Sequence, residues 1–593
     1  MNILMKNFKL VFTTCLIFIS YNVQASSSYK MPVGIPNTTL DFQQEMPTRP
    51  SDWSVEVPGY YYIDYQNGAK NQAYGTPSAP RKMIPSPAPA GSYIEIAGEY
   101  TQGFTKKSNR MYTFNGTDDA WSAGVAGPVW ITEAKDIDGA ISLVGFQMQG
   151  SNIFISNLDF INGAKIQVSS ASKGYQAENV VIRNVDVSGG GLSVVGDATA
   201  PVNNIIIYNS KFHDFGDIYS ETDEDAHLVS IGAYISNLWL LDNLLHTASG
   251  AGVQVLGANE RGTTNNIYVG NNEVYDVRQS GLWVKSGTNV VFSSNTIRNV
   301  ISTPWSPSKG MGAQYLPDEL WMINNHVSGV EYGIRIASTT GVSWTQKIYA
   351  IGNIIHNVRT LQEGSKVGPI SNTSSWQSAA IHIAGSHEQY IYNNLIFDAP
   401  NGIDSSSPKK TVIKNNIILD VTAEHVNEPT GYHILAEIQE LNKGVFIENN
   451  YFGDGMHVQV HKGVTNVLHN NVGTLNAEVG ASGNIQGTNI ITQNNIDSIM
   501  DAMSIDDLGF TQLQDAGINV NDILITRFKS ISQDTSEIDS DFFDKERILG
   551  DSIDIGPFEQ YGIKKAPTIP TKPGGLKLIQ LPDKAELETT IIY

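Results

Sequence analysis

The 593-residue chain predicts an all-β fold, a right-handed parallel β-helix, and three observations carry that reading. The first is a phrase that recurs from about residue 150 to 475: a few β-branched or aromatic residues, an Asn or Asn-Asn, then another short apolar run. It reads Asn152-Ile-Phe-Ile-Ser-Asn157, Asn179-Val-Val-Ile-Arg-Asn184 and Asn204-Ile-Ile-Ile-Tyr-Asn209, and continues to Asn243, Asn272 and Asn295. Later copies end at Asn325, Asn353, Asn394, Asn416, Asn450 and Asn471. The steps run from 21 to 41 residues, about 28 on average, the range of solenoids and arrays. The second observation is period-two alternation within each copy, without a helical 3.6-residue pattern. The third is a second strand phrase, a small residue followed by apolar-x-apolar, as in Gly252-Val-Gln-Val255, Gly281-Leu-Trp-Val284 and Gly333-Ile-Arg-Ile336. Short strands with Asn at a tight corner suit stacked coils, because Asn tolerates the left-handed backbone and bonds to copies above and below.

In chain order, Lys6 and Lys9 precede the apolar run from Leu10 to Ile19, and Val23-Gln24-Ala25 supplies small residues at a cleavage position. That is the grammar of a secretory signal peptide, assigned to residues 1–25. The run is too short for a bilayer, and nothing later reaches the roughly 18 apolar residues a span needs. A secreted or periplasmic bacterial protein without a membrane span is the expectation. Cleavage after Ala25 removes Cys15, the single cysteine, so stability must come from a large or repetitive core. Residues 26–90, rich in Pro and Tyr, read as an irregular N-terminal extension, and 91–475 as the β-helix. Residues 476–565 lose the Asn beat and read as a cap over the open end. Residues 566–593 read as an exposed tail.

Charge narrows the function. With 38 basic and 59 acidic side chains the formal net charge is −21, and charged residues make up only 16%. Such a chain is a poor general binder of nucleic acid, whose phosphates call for clustered Lys and Arg. A monomer acting on a polysaccharide is expected instead. Between two inward apolar positions, a strand residue points outward. Taken coil by coil, that position gives Gln167, Gln254, Trp283, Gln314, Arg335 and His382, with Lys285 just beyond Trp283. Coils about 4.8 Å apart would turn this row into a groove for an extended polymer. Trp283, Gln254, Gln314, Lys309 and His227 are candidate substrate-binding residues. The acidic loop from Asp214 to His227 holds Asp223, Glu224 and Asp225, candidate ligands for calcium. The same loop, or Asp276 and Asp404, offers carboxylates for glycoside hydrolysis.

The segment Lys285-Ser-Gly-Thr-Asn289 through Asn295-Thr-Ile-Arg-Asn299 resembles the K-S-x-x-N-x5-N-T-F-x-N phrase of the β-helical lyases that include chondroitinase B and certain alginate lyases. The phrase Asp554-Ile-Gly-Pro-Phe-Glu559 is similar to the D-I-G-x-x-E ending of secreted β-helix carbohydrate enzymes. The resemblance implies β-elimination on a uronate, with Lys285 as general base, an arginine on the next coil as acid, and calcium at the substrate carboxylate. The chain departs from the family at Lys309-Gly-Met-Gly-Ala-Gln-Tyr315, where Arg-His-Gly is expected, and at Arg278 and Ser280, which stand where carboxylates would. Arg278 is the candidate for calcium's role. Elimination needs positive charge at the substrate carboxylate and a base near C5. Arg335 and Arg278 are candidates for the first, Lys285 for the second, Tyr315 as alternative base or acid, and His382 as proton donor to the leaving oxygen. A β-helical hydrolase and a non-catalytic adhesin are the alternatives.

Overall fold

The computed structural model describes residues 29–97, 111–134 and most of 145–479; the segments 171–174, 338–343, 360–377, 422–433, 438–443 and several shorter ones lie outside it. The signal-peptide segment, the cap beyond Val479 and the tail, with the Asp554–Glu559 phrase, lie outside the described residues. Among the described residues there are strands and no helix, and strands pair in parallel along the chain. Hence no described helix is long and apolar enough to cross a membrane.

The strands fall into three rows, and from Gly145 to Phe452 each coil adds one segment to each row. The first row holds the small-apolar-x-apolar phrases: Val253–Val255 pairs with Ser280–Ser293, then come Lys309–Ile323, Tyr332–Ile336, Ala379–Ala384 and Ile403–Ser406. The second row includes Val202–Tyr208, Ile235–Leu241 and Thr264–Gly270. The third is an 11-stranded sheet of short strands from Asp159–Phe160 to Tyr451–Phe452. The first two rows merge into one 26-stranded sheet because Gly145–Ser156, Ser280–Ser293 and Lys309–Ile323 run unbroken around the corner between them.

Alternation places one apolar set inside. Val253, Val255, Leu282, Val284, Met311, Ala313, Ile334 and Ile336 all join a single continuous core. The second row is buried on its outer face too, because residues 29–53 lie across it. Ile35, Phe42 and Trp53 pack there against a stripe that includes Trp130, Phe154 and Trp239. Trp239 Nε1 donates to the Pro36 carbonyl at 3.0 Å, and Arg183 to the Phe42 carbonyl at 2.7 Å. Stacking begins earlier than the sequence suggested, with Tyr60–Asp64 paired to Tyr93–Ala97 inside the segment read as irregular. Its run of tyrosines is apolar on both faces, so it shows no alternation to mark it as a strand.

The asparagine beat resolves into two adjacent columns. Asn243, Asn272, Asn295, Asn325, Asn353, Asn394, Asn416 and Asn450 form an inner ladder of buried side chains. From Asn272 onward each Oδ1 accepts both the backbone N–H and the side-chain amide of the ladder residue one coil earlier, at 2.9–3.0 Å, while Asn243 Oδ1 accepts the Ser210 N–H. The left-handed backbone belongs to the residue before, as at Asp242, Asn271, Ser294 and Asn324. In the first coils only that outer column is Asn, at Asn157, Asn184 and Asn209. The phrase therefore merged two positions. Its apparent 34-residue step from Asn209 to Asn243 is one residue too long, since Tyr208 faces Leu241 in the pairing.

Candidate functional site

The register of the first row fixes which side chains form one outward column. Gln167 is followed by Ser193 and Ser230, then by Gln254, Trp283, Gly312, Arg335, His382 and Asp404. Successive members are one coil apart, about 4.8 Å. Gln314 does not belong to it. Val284 faces Ala313 while Ser286 faces Leu316, so Lys285 opposes both Gln314 and Tyr315 across a β-bulge. The residue between inward Met311 and Ala313 is Gly312, and it takes the place expected for Gln314.

Gly312 leaves a notch between Trp283 and Arg335. Its φ is +150°, and a Cβ there would lie 1.8 Å from the Arg335 carbonyl oxygen. Only glycine fits, and the missing side chain opens the column where its chemistry changes from amide and indole to cation.

Lys309 enters this region from the first position of its strand. It is 5% exposed, its Nζ hydrogen-bonds to Ser306 Oγ, and it lies 4.9 Å from the centre of the Trp283 ring. Burial, then Arg335, pushes its ammonium down to about 7, with Lys285 adding to the drop and Glu331 opposing it. The same burial raises the Glu331 carboxyl, which accepts from Ser308 N–H at 2.7 Å and from the Ser302 hydroxyl. Arg335 lies over Tyr332, its Cζ 4.8 Å from the ring centre, and its Nε is buried without an acceptor among the described residues. Tyr332 stands 5.6 Å from the His382 ring, and His382 Nδ1 lies 2.7 Å from Asp404 Oδ2.

The site thus gathers Lys285, Lys309, Arg335 and His382, with Trp283 as the aromatic wall. His227 borders it from the earlier coils. Its Nδ1 accepts the Ala251 N–H at 2.8 Å, so its remaining proton sits on Nε2, toward Gln254. Burial lowers its proton affinity, and nearby Lys285 lowers it further. Tyr315 is 53% exposed with φ +72°, held outward by the bulge. Trp283 and Gln254 are buried at 4% and 5%, deeper than an open groove would leave them.

Two of the candidate sets stand away from the column. Arg278 is fully buried at the corner ahead of the strand, where its guanidinium donates to the carbonyls of Asp217 (3.3 Å) and Thr222 (3.2 Å). It pins the acidic loop and does not face the column. The acidic trio does not converge on one centre. Asp223 and Asp225 both accept from Gln279 Nε2, at 3.4 and 3.0 Å, while Glu224 accepts from Asp217 N–H at 3.1 Å. Among the described residues no group of three His, Cys, Asp or Glu side chains could hold a metal ion.

The sequence reading missed Glu331, Tyr332 and the pairing of Asp404. A signal for Tyr332 was present. Ser280, Lys309, Tyr332 and Ala379 are stacked partners, each just before the small residue that opens its strand. Aligning coils on Gly281, Gly310, Gly333 and Ala380 would have put Tyr332 beside Lys309.

No family model and no curated protein matches this chain. Solved structures similar to it include a GH136 lacto-N-biosidase from Eubacterium ramulus, at 12% identity and a TM-score of 0.32, covering 66% of this chain and 68% of that one. A pectate lyase, Pel9A, is similar at 12% identity and 0.25, covering 86% and 98%. XylC in complex with xylose is similar at 11% and 0.33, covering 85% and 99%. Likenesses at this level fix neither a family nor an activity.

Proposed function

We propose that this chain is an exported polysaccharide lyase that cleaves a uronate-containing polymer by β-elimination on the first-row face of a right-handed parallel β-helix. The handedness follows from parallel strands joined by crossover connections, which are right-handed in almost all proteins. Export rests on the basic, apolar and small-residue pattern of residues 1–25.

The observation that carries the reading is the enclosed lysine. In a protein of net charge −21, Lys309 is buried beside Arg335 and Lys285, and burial first, then those two cations, bring its ammonium down to about 7. Such a lysine is partly neutral near neutral pH and accepts a proton. Between the two lysines, the base role falls to Lys309, because Lys285 is half-exposed. Arg335 and Lys285 supply the positive charge that an elimination needs at the C6 carboxylate. Lys309 takes the C5 proton, the C5–H electrons form the C4–C5 double bond, and the C4–O bond breaks with its electron pair on the leaving oxygen. That oxygen then takes a proton from an acid.

The test is a panel of alginate, pectate and glycosaminoglycans given to the purified protein, with ultraviolet absorbance and reducing ends recorded together. A rise in both, lost in Lys309→Met and Arg335→Met, is the expected result. Reducing ends without the ultraviolet signal overturn the lyase reading in favour of a hydrolase. Binding without either signal leaves the adhesin.

A further inference from the structure

We infer that Asp404 is a positioning residue for His382, and that the pair is the proton-donating side of this site. The inference takes its chemistry from the lyase reading, while its geometry stands independently. His382 lies in register between Arg335 on one coil and Asp404 on the next. Asp404 is 4% exposed, with Oδ2 2.7 Å from His382 Nδ1 and Oδ1 accepting the Ser406 hydroxyl at 3.3 Å. A carboxylate this buried needs a charge-bearing or hydrogen-bonding partner, and the imidazole is the one it meets.

The consequence is tautomeric. An ionised carboxylate only accepts, so the proton on Nδ1 points at Asp404 and Nε2 becomes the nitrogen that exchanges protons with the site. Tyr332 meets the imidazole with its ring tilted 60°, and Arg335 lies over Tyr332, so the tyrosine is itself braced where it contacts the histidine. In the elimination, imidazolium Nε2–H gives its proton to the departing glycosidic oxygen while Lys309 holds the one from C5. The imidazole ends neutral, the ammonium ends charged, and no other reactant is required. Asp404 itself touches neither substrate nor leaving group. This removes it from the carboxylate pair that a hydrolase would need.

The experiment compares the full-length protein with Asp404→Asn, labelled with nitrogen-15 at histidine, using His382→Gln to assign the signal. The wild-type imidazole is expected with its neutral-state proton on Nδ1. In Asp404→Asn the amide donates to Nδ1 and the proton moves to Nε2. Turnover falls by about 10²–10⁴ with KM changed less than about threefold, the signature of a lost acid–base function. Asp404→Glu restores the Nδ1 proton and part of the rate. An unchanged tautomer in Asp404→Asn, or a loss confined to KM, overturns the assignment. If the wild-type protein yields no unsaturated product, the lyase reading fails separately, and the nitrogen signals still decide the pair.

Discussion

Lys309 Nζ lies 4.9 Å from the centre of the Trp283 ring, a residue of the preceding coil. The indole face attracts a cation, which returns part of the hydration lost on burial. Glu331 returns some more, but burial and the like charges of Arg335 and Lys285 outweigh both. A lysine placed this way costs the fold stability, whatever chemistry it performs.

That conflict has a measurable sign. The Lys309 ammonium is lowered from 10.5 to about 7 on folding, so the unfolded chain binds the extra proton between those values. The destabilisation is complete below about pH 7 and fades as pH rises toward 10.5. Urea unfolding should therefore show Lys309→Met more stable than the wild type at pH 6, with the gap narrowing at pH 9. A gap independent of pH would remove the buried-ammonium account.

The same group sets a pH limb for activity. With Lys309 as the proposed base, the neutral amine is the reactive form, so turnover on the best polymer should rise as pH passes through about 7. Lys309→Arg keeps the charge but cannot release a proton. It should lose about 10²–10⁴ in kcat across the whole range. An arginine variant with near wild-type turnover would show that Lys309 only binds.

Gly312 tests whether the notch matters. Substitution by Ala forces a Cβ to within 1.8 Å of the Arg335 carbonyl and places a side chain at φ +150°. The backbone strain alone costs about 1–3 kcal/mol. Gly312→Ala should unfold at lower urea and lose activity, through displacement of the Arg335 strand. Gly262, with φ +78° and open space around its Cβ, is the control. Its Ala variant should stay near wild-type activity.

Much of the architecture was legible because it rests on periodicity. Core positions such as Val253, Leu282 and Ile334 announce themselves by alternation, and the pairing register repeats that alternation coil after coil. The site was legible where side chains stand between two inward apolar residues, as at Trp283, Arg335 and His382. It failed at Gln314 because Gly312, two residues earlier and in the same outward phase, has no side chain to mark the column, so alternation passes to the next outward polar residue; the bulge begins only after Ala313. Arg278 failed for a different reason. A charged residue beside a strand reads as exposed, and nothing local shows that backbone carbonyls 56 and 61 residues earlier enclose it. Glu331 and Asp404 are likewise defined by partners one coil away, which a single strand does not display.

The inner asparagine ladder makes the last prediction, and it concerns cooperativity along the coils. Asn325 Oδ1 accepts both the backbone N–H and the side-chain amide of Asn295, while its own amide donates to the Phe292 carbonyl at 2.9 Å and to Asn353 Oδ1 at 3.0 Å. All of these groups are away from water. Asn325→Ala therefore strands two donors of Asn295 and one carbonyl, each costing about 1–3 kcal/mol when left buried and unpaired. Asn325→Asp keeps the acceptor and loses only the donor side, although it brings a carboxylate against Asn353 Oδ1. The Ala variant should lose several kcal/mol in urea unfolding, with amide exchange accelerated first at Asn295 and its neighbours in the ladder. Asn184→Ala, in the exposed outer column, should lose only about 1–2 kcal/mol, chiefly from placing Ala at φ +52°, since its bonds to Asn157 at 3.2 Å and from Asn209 at 2.7 Å face solvent. Equal losses at the two sites would show that the inner column is no more than a tolerated turn residue.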